Sequence, residues 1–111
     1  MIEKHKKVWG FEKWIVNSEL YCSKFLYLKQ DYRCSLHHHK IKTETFYIVK
    51  GLVLMEVAGT MSTMYPGDVI DINPKEDHRF TGLEDSIILE VSTQHFEMDS
   101  YRKTKSEKIK K

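Results

Sequence analysis

The chain has 111 residues, 41% hydrophobic and 31% charged, with a formal net charge of +2. That length supports one domain around a single core of β-sandwich or small-barrel size, and so small a charge gives no footing for nucleic acid as a partner. No apolar run approaches the length of a membrane span, and Met1-Ile2-Glu3-Lys4-His5 does not open a signal peptide. The two cysteines, Cys22 and Cys34, form no CxxC pair; both read as reduced and buried, and the expected location is the cytoplasm.

Taken in chain order, an aromatic segment comes first. Trp9, Phe11 and Trp14 read as core or interface residues, with stacking on a sugar as the alternative. Short runs rich in β-branched and aromatic residues follow at 13–16, 23–28, 44–49, 52–57, 61–65, 69–72 and 87–91. Their spacing of about eight to ten residues is the rhythm of an all-β sandwich or barrel. Between them, Lys50-Gly51 and Ala58-Gly59 suggest tight hairpins, and Pro66-Gly67-Asp68 a turn preset by proline. Nothing has the pattern of a long amphipathic helix, and no linker divides the chain. The basic run at 102–111 reads as a solvated, partly frayed tail beside a core at about 13–98.

The chemistry concentrates in Ser35-Leu36-His37-His38-His39-Lys40-Ile41-Lys42-Thr43-Glu44. His37 and His39 stand two apart, so on a strand both leave the same face, together with Ser35, while His38 leaves the other. Glu44 opens the next strand, with Phe46 and Ile48 on its face. A further imidazole arrives at His78, in Asp77-His78-Arg79-Phe80, with Phe80 on the same side. Three imidazoles and a carboxylate gathered in an interior are costly to desolvate without a cation. The set His37, His39, Glu44 and His78 therefore predicts a divalent metal ion, with Zn, Mn, Fe, Co and Ni all compatible with these donors. His5 and His95 have no partner pattern and are expected on the surface or in loops.

The order HxH, four residues, Glu, six residues, Gly, ending at Gly51, resembles the first motif of the cupin superfamily. Pro66-Gly67-Asp68 through Pro74 to His78 resembles the second, and the likeness spans roughly residues 20 to 95. It departs at three turns: Asp31 stands where a glycine is usual, Pro74-Lys75-Glu76 replaces Pro-x-Gly, and Gly82 replaces a common Asn. The resemblance implies a double-stranded β-helix, the small jelly roll of cupins, with His37, His39, Glu44 and His78 as metal ligands. Small cupins commonly pair, so it also implies a homodimer, with the segment Val8-Trp9-Gly10-Phe11 suited to joining a neighbour's sheet.

Within that superfamily, His37-His38-His39 followed by Glu44 to Gly51 is similar to the cupin domain of mannose-6-phosphate isomerase type enzymes and to lyxose isomerase-like cupins. The likeness implies a small-molecule substrate, a sugar or sugar phosphate, isomerised or epimerised through a metal-stabilised enediolate. Glu90, a carboxylate in the apolar run Ile87-Ile88-Leu89-Glu90-Val91, is the expected base, with Lys42 as a second candidate. Arg79 beside His78 is the cation best placed for a phosphate, and Phe46 and Phe80 the expected walls of the substrate site. Two other readings stay open. One is an oxygen-using enzyme with the same ligands, the other a non-catalytic module that binds a small molecule.

Overall fold

The computed structural model describes residues 2–109. In chain order the strands are β1 (Glu3–Lys7), β2 (Gly10–Asn17), β3 (Cys22–Leu28), β4 (Tyr32–Arg33), β5 (His37–His38), β6 (Glu44–Lys50) and β7 (Val53–Val57). They continue as β8 (Thr60–Met64), β9 (Val69–Ile72), β10 (His78–Gly82), β11 (Ser86–Ser92), β12 (Tyr101–Arg102) and β13 (Glu107–Lys108). Among the described residues the helical element is a single 3-10 turn, Glu97–Asp99. Among the described residues no helix is long and apolar enough to cross a membrane.

Two antiparallel sheets enclose the core. The first runs β1-β2-β3-β11-β6-β9. In the second, β10 pairs with β7 along one flank and with β5 and then β4 along the other; β8, β12 and β13 extend it outward. Strand alternation explains which residues meet. Along β3, Cys22, Lys24, Leu26 and Leu28 are buried while Ser23, Phe25 and Tyr27 are only half-buried. Leu26, Leu28, Ile48 and Ile88 from the first sheet pack against Val53, Met55 and Phe80 from the second, with Trp9 and Cys34. Each such side chain contributes roughly 1.5–3 kcal/mol by leaving water.

One row crosses the inner face of the first sheet with different chemistry. Trp14 pairs with Lys24, Lys24 with Glu90, and Glu90 with Phe46. Polar groups therefore stand beside the apolar rows, at the end of the barrel where the imidazoles gather.

The turns carry specific backbone demands. Ala58-Gly59 joins β7 to β8 with φ of 48 and 83, the two positive values of a tight type I′ hairpin. Lys50-Gly51 is not a hairpin: β6 and β7 lie in different sheets, and the chain crosses between them there. Gly51 has φ of 96, and a Cβ on it would fall 2.2 Å from Ser86 Oγ. Of the turn departures noted above, Asp31 adopts the conformation that a glycine would take, with φ of 67; in the Pro74-Lys75-Glu76 turn the positive φ, 72, falls on Lys75, one residue before the glycine's replacement Glu76.

Both chain ends are tied into the sheets of this chain. The segment Val8-Trp9-Gly10-Phe11 lies at the edge of the first sheet. It turns β1 back onto β2 of the same chain, and Trp9 is buried edge-on against Phe80. The basic run is not a frayed tail as far as residue 109, positions 110 and 111 lying outside the described residues. β12 pairs with β5 and β13 with β4, and the hydroxyls of Thr104 and Ser106 accept the N–H groups of Leu36 and Ser35. The pairing uses backbone and hydroxyl groups together with the Arg33–Glu107 ion pair, and a sequence dominated by lysine conceals it.

Candidate metal centre and its cavity

β5 and β10 bring the imidazoles together, because His37 and His78 are direct cross-strand partners. His39, two residues after His37, turns to the same side. The ligand nitrogens of His37, His39 and His78 lie within 4.8 Å of one another, and three imidazoles so placed can hold a metal ion. Glu44, at the first position of β6, presents Oε1 2.9 Å from His78 Nε2 and 3.5 Å from His39 Nε2. The side chain between the two on β5, His38, points away, stacks on Tyr101 and meets Asp77.

Each imidazole is held by a backbone carbonyl. His37 Nδ1 bonds to the oxygen of Ser35 at 2.8 Å, His39 Nδ1 to that of Asp99 at 2.9 Å, and His78 Nδ1 to that of Glu76 at 3.0 Å. A carbonyl oxygen only accepts, so all three Nδ1 atoms carry the proton and the inward Nε2 positions are free to ligate. Glu44 Oε1 and His78 Nε2 are buried and enter no aligned hydrogen bond although they stand close together. Three inward imidazole nitrogens and one carboxylate, with one of those nitrogens and one carboxylate oxygen buried and orphaned, fit a divalent cation.

The electrostatics agree. Burial, then the neighbouring imidazoles, pushes His37 down to about 3; burial, then Lys42, pushes His39 down to about 4. Burial opposes charge on Glu44, but His78 and Lys42 outweigh it and hold the carboxyl well below its usual range. Burial likewise opposes protonation of His78, and Glu44 outweighs it, moving His78 upward.

A cavity of about 320 Å³ opens beside these groups, lined by His37, His39 and Glu44, by Phe46 and Phe80, and by a second charged cluster. In that cluster Lys42 Nζ lies 3.2 Å from Glu44 Oε2, 3.2 Å from Glu90 Oε2 and 3.1 Å from His95 Nδ1. Burial opposes the Lys42 charge, but Glu90 and Glu44 prevail and raise its pKa. Burial dominates at Glu90 and raises its pKa as well. The inward face of β11 thus holds Glu90, buried in the cavity wall.

Not every expected residue is there. Arg79 does not line the cavity. The alternation that turns His78 inward turns Arg79 outward, where it forms a two-pronged pair with Glu56 of β7 at 2.7 and 3.0 Å. His95, expected to be incidental, stands in the cavity wall, accepting from Lys42 and reaching Glu97 Oε2 at 2.9 Å. Asp99 was not singled out from the sequence at all. Its carboxylate accepts the N–H groups of Lys40, Ile41 and Lys42, so it shapes the loop between His39 and Glu44. Nothing in the spacing of either residue announces these roles, since both act from the irregular segment after β11.

Solved structures with this arrangement of strands are numerous. A variant of oxalate decarboxylase from Bacillus subtilis superposes with a TM-score of 0.82 at 18% identity over 92% of this chain and 30% of that one. An RmlC-like cupin from Shewanella frigidimarina gives 0.80 at 15% identity, covering 88% of each chain. The fold is that of the cupins. KdgF from Halomonas sp. gives 0.79 at 16% identity, covering 86% of this chain and 89% of its own. The cupin likeness is one of fold, and this chain spans less than a third of the oxalate decarboxylase, an enzyme with Mn(II) centres. No family model and no curated protein matches the sequence.

Proposed function

We propose that the chain is a metal-dependent isomerase or epimerase of a small hydroxy-carbonyl compound, a sugar or sugar derivative. His37, His39, His78 and Glu44 are the ligands in this reading. A divalent ion there supplies a Lewis-acidic contact for carbonyl and hydroxyl oxygens of the substrate. Zn, Mn, Fe, Co and Ni all suit the donors. The observation that carries the reading is the adjacency of two clusters: Lys42 bridges the ligand carboxylate Glu44 and the buried carboxylate Glu90 at 3.2 Å each.

Enolisation needs a proton removed from a carbon beside a carbonyl and returned to its neighbour. Glu90 is the acceptor and donor of that proton. Lys42 fixes the Glu90 carboxylate, and His95 extends the polar chain outward through Glu97. Phe46 and Phe80 form the apolar wall against which a monosaccharide-sized molecule rests, within the 320 Å³ available. The similarity of residues 37–51 to sugar isomerase cupins supports the substrate class. Cys22 and Cys34, buried and unpaired, support a reducing, cytoplasmic setting. The half-buried to exposed outer row of Phe25, Leu89, Tyr47 and Val69 supports a homodimer through that sheet face.

The test is deuterium uptake. Protein loaded in turn with Mn, Zn, Ni and Fe(II) is incubated in D2O with aldoses, ketoses and their phosphates and followed by NMR. Deuterium beside the carbonyl, absent with His78→Ala, establishes metal-dependent enolisation. No exchange with any metal, accompanied by oxygen uptake, replaces this reading with that of an oxygen-using enzyme.

A further inference from the structure

Lys24 is the feature of the cavity that the metal and the proton-transfer pair leave unexplained. It sits at an inward position of β3, 2% exposed, among the largest fully buried side chains of the chain. Lysine is almost never so deeply buried unless it is paired, since its ammonium is strongly hydrated. Lys42 meets that requirement, with two carboxylates and an imidazole at hydrogen-bond distance. Lys24 does not. Among the described residues its ammonium makes no hydrogen bond; its ionic contact is Glu12 Oε1 at 3.9 Å, and it lies 4.1 Å over the Trp14 ring. The same Glu12 oxygen is already taken by the Trp14 indole N–H at 2.8 Å.

The group nevertheless faces the cavity, whose lining includes Lys24, Glu12 and Glu90. Lys24 and Glu90 are direct cross-strand partners, Glu90 touches Lys42, and Lys42 touches Glu44. The order along this path is an ammonium with spare donors, then a carboxylate placed for proton transfer, then the imidazole cluster. A molecule spanning it would meet three different chemistries in sequence. Lys6, Lys7 and Arg102 contribute further positive charge to the lining.

We propose that Lys24 is an anion-binding residue and that the cavity takes a substrate with an anionic oxygen group, carboxylate or phosphate, at the end away from the metal ligands. Such a group accepts the hydrogen bonds that Lys24 leaves unmade, with the Trp14 face fixing the ammonium from behind. This deepens the isomerase reading and rests on it for the word substrate: the sugar derivative is an acid or a phosphate ester rather than a neutral sugar. Arg79, turned outward to Glu56, has no part in holding it.

Anion binding can be measured without metal. Metal-free, 15N-labelled protein is titrated at constant ionic strength with acetate, with inorganic phosphate and with glycerol, following the Trp14 indole resonance. Acetate or phosphate is expected to shift it saturably and glycerol to leave it in place; the stronger of the two anions identifies the class. Lys24→Met should weaken the response by about tenfold or more, and Lys24→Arg should retain it. A wild-type Trp14 that ignores both anions overturns the proposal, whatever the variants do. So does a Lys24→Met protein that responds like the wild type. Because no metal is present, either failure leaves the deuterium-exchange test of the isomerase reading intact, and failure of that test leaves this one standing.

Discussion

Asp99 holds His39 from two directions. Its backbone oxygen takes the Nδ1 proton at 2.9 Å, and its carboxylate gathers the N–H groups of the three residues that follow His39. Although burial opposes its charge, those N–H groups keep the carboxyl ionised, its pKa below the usual range. A ligand loop tied in this way is preorganised, and outer partners of this kind commonly change metal affinity by about 10–100-fold.

Asp99→Ala should therefore weaken metal binding by about that factor, and lower stability by about 2–4 kcal/mol through three lost charge-assisted bonds. Asp99→Asn should fall between. Metal titration by competition with a chelator, alongside urea unfolding, checks both. Unchanged affinity in Asp99→Ala would show that the loop keeps its shape unaided.

Glu90 and Lys42 are separable by substitution. Glu90→Gln keeps the size of the side chain and removes the proton acceptor, so deuterium exchange should fall by about 10²–10⁴-fold with metal stoichiometry unchanged. Lys42→Met removes the cation between Glu90 and Glu44 and leaves two buried carboxylates facing each other. It should raise the apparent pKa of Glu90 and move the pH–rate profile toward alkaline values, since burial and the Glu44 charge then act unopposed by Lys42. Exchange that survives Glu90→Gln would remove Glu90 from the reaction.

Much of the architecture was legible because it depends on alternation. Every run expected to be a strand coincides with one, apart from the end residues Leu52 and Tyr65, and the two-residue step from His37 to His39 placed both imidazoles on one side. The same rule, applied to the neighbour of His78, would have turned Arg79 outward; proximity in sequence suggested the wrong group. What stayed hidden depends on contacts that have no period. Asp99 and His95 act from the irregular segment after β11, and β12 and β13 are two-residue strands held largely by backbone and hydroxyl groups. Lys24 was concealed differently: one lysine in an apolar strand reads as an outward interruption until its neighbours are known to point out.

The imidazoles also predict how acid acts on the metal-free protein. His37 and His39 hold out against protonation to about 3 and about 4, whereas in the unfolded chain they take a proton near the ordinary value of about 6.5. Between those values the unfolded state binds more protons, so the stability present above about 6.5 is lost as pH falls toward 4 and then 3. His78 works the other way, because its pKa is raised; its contribution is complete below about 6.5 and disappears as pH climbs through the folded value. Two groups outweigh one. Unfolding free energies from urea titrations between pH 7.5 and 4.5 should fall by an amount on the order of a few kcal/mol, the midpoints falling with them, and His37→Gln should flatten the slope. Midpoints that stay level or rise on acidification would mean that the folded protein already carries protonated imidazoles at His37 and His39.

Lys75 stands where the chain asks for glycine. It follows Pro74 in the turn before β10, has φ of 72, and donates its N–H to the oxygen of His39 at 2.6 Å. Glu76 closes the turn twice, its N–H bonding to the Asn73 oxygen and its carboxylate accepting the Asn73 N–H. A side chain in this left-handed region costs about 1–2 kcal/mol, part of which glycine would give back through its freer unfolded state. Lys75→Gly should then stabilise the protein by a net 0.5–1 kcal/mol, roughly, while metal affinity stays unchanged because the N–H to His39 remains. Lys75→Pro removes that N–H and forbids the positive φ, so it should lose both stability and affinity. Unfolding curves and chelator competition on the two variants give the answer. A Lys75→Gly protein no more stable than the wild type would show that Asn73 and Glu76 already impose the turn, so that its φ places no strain on the lysine.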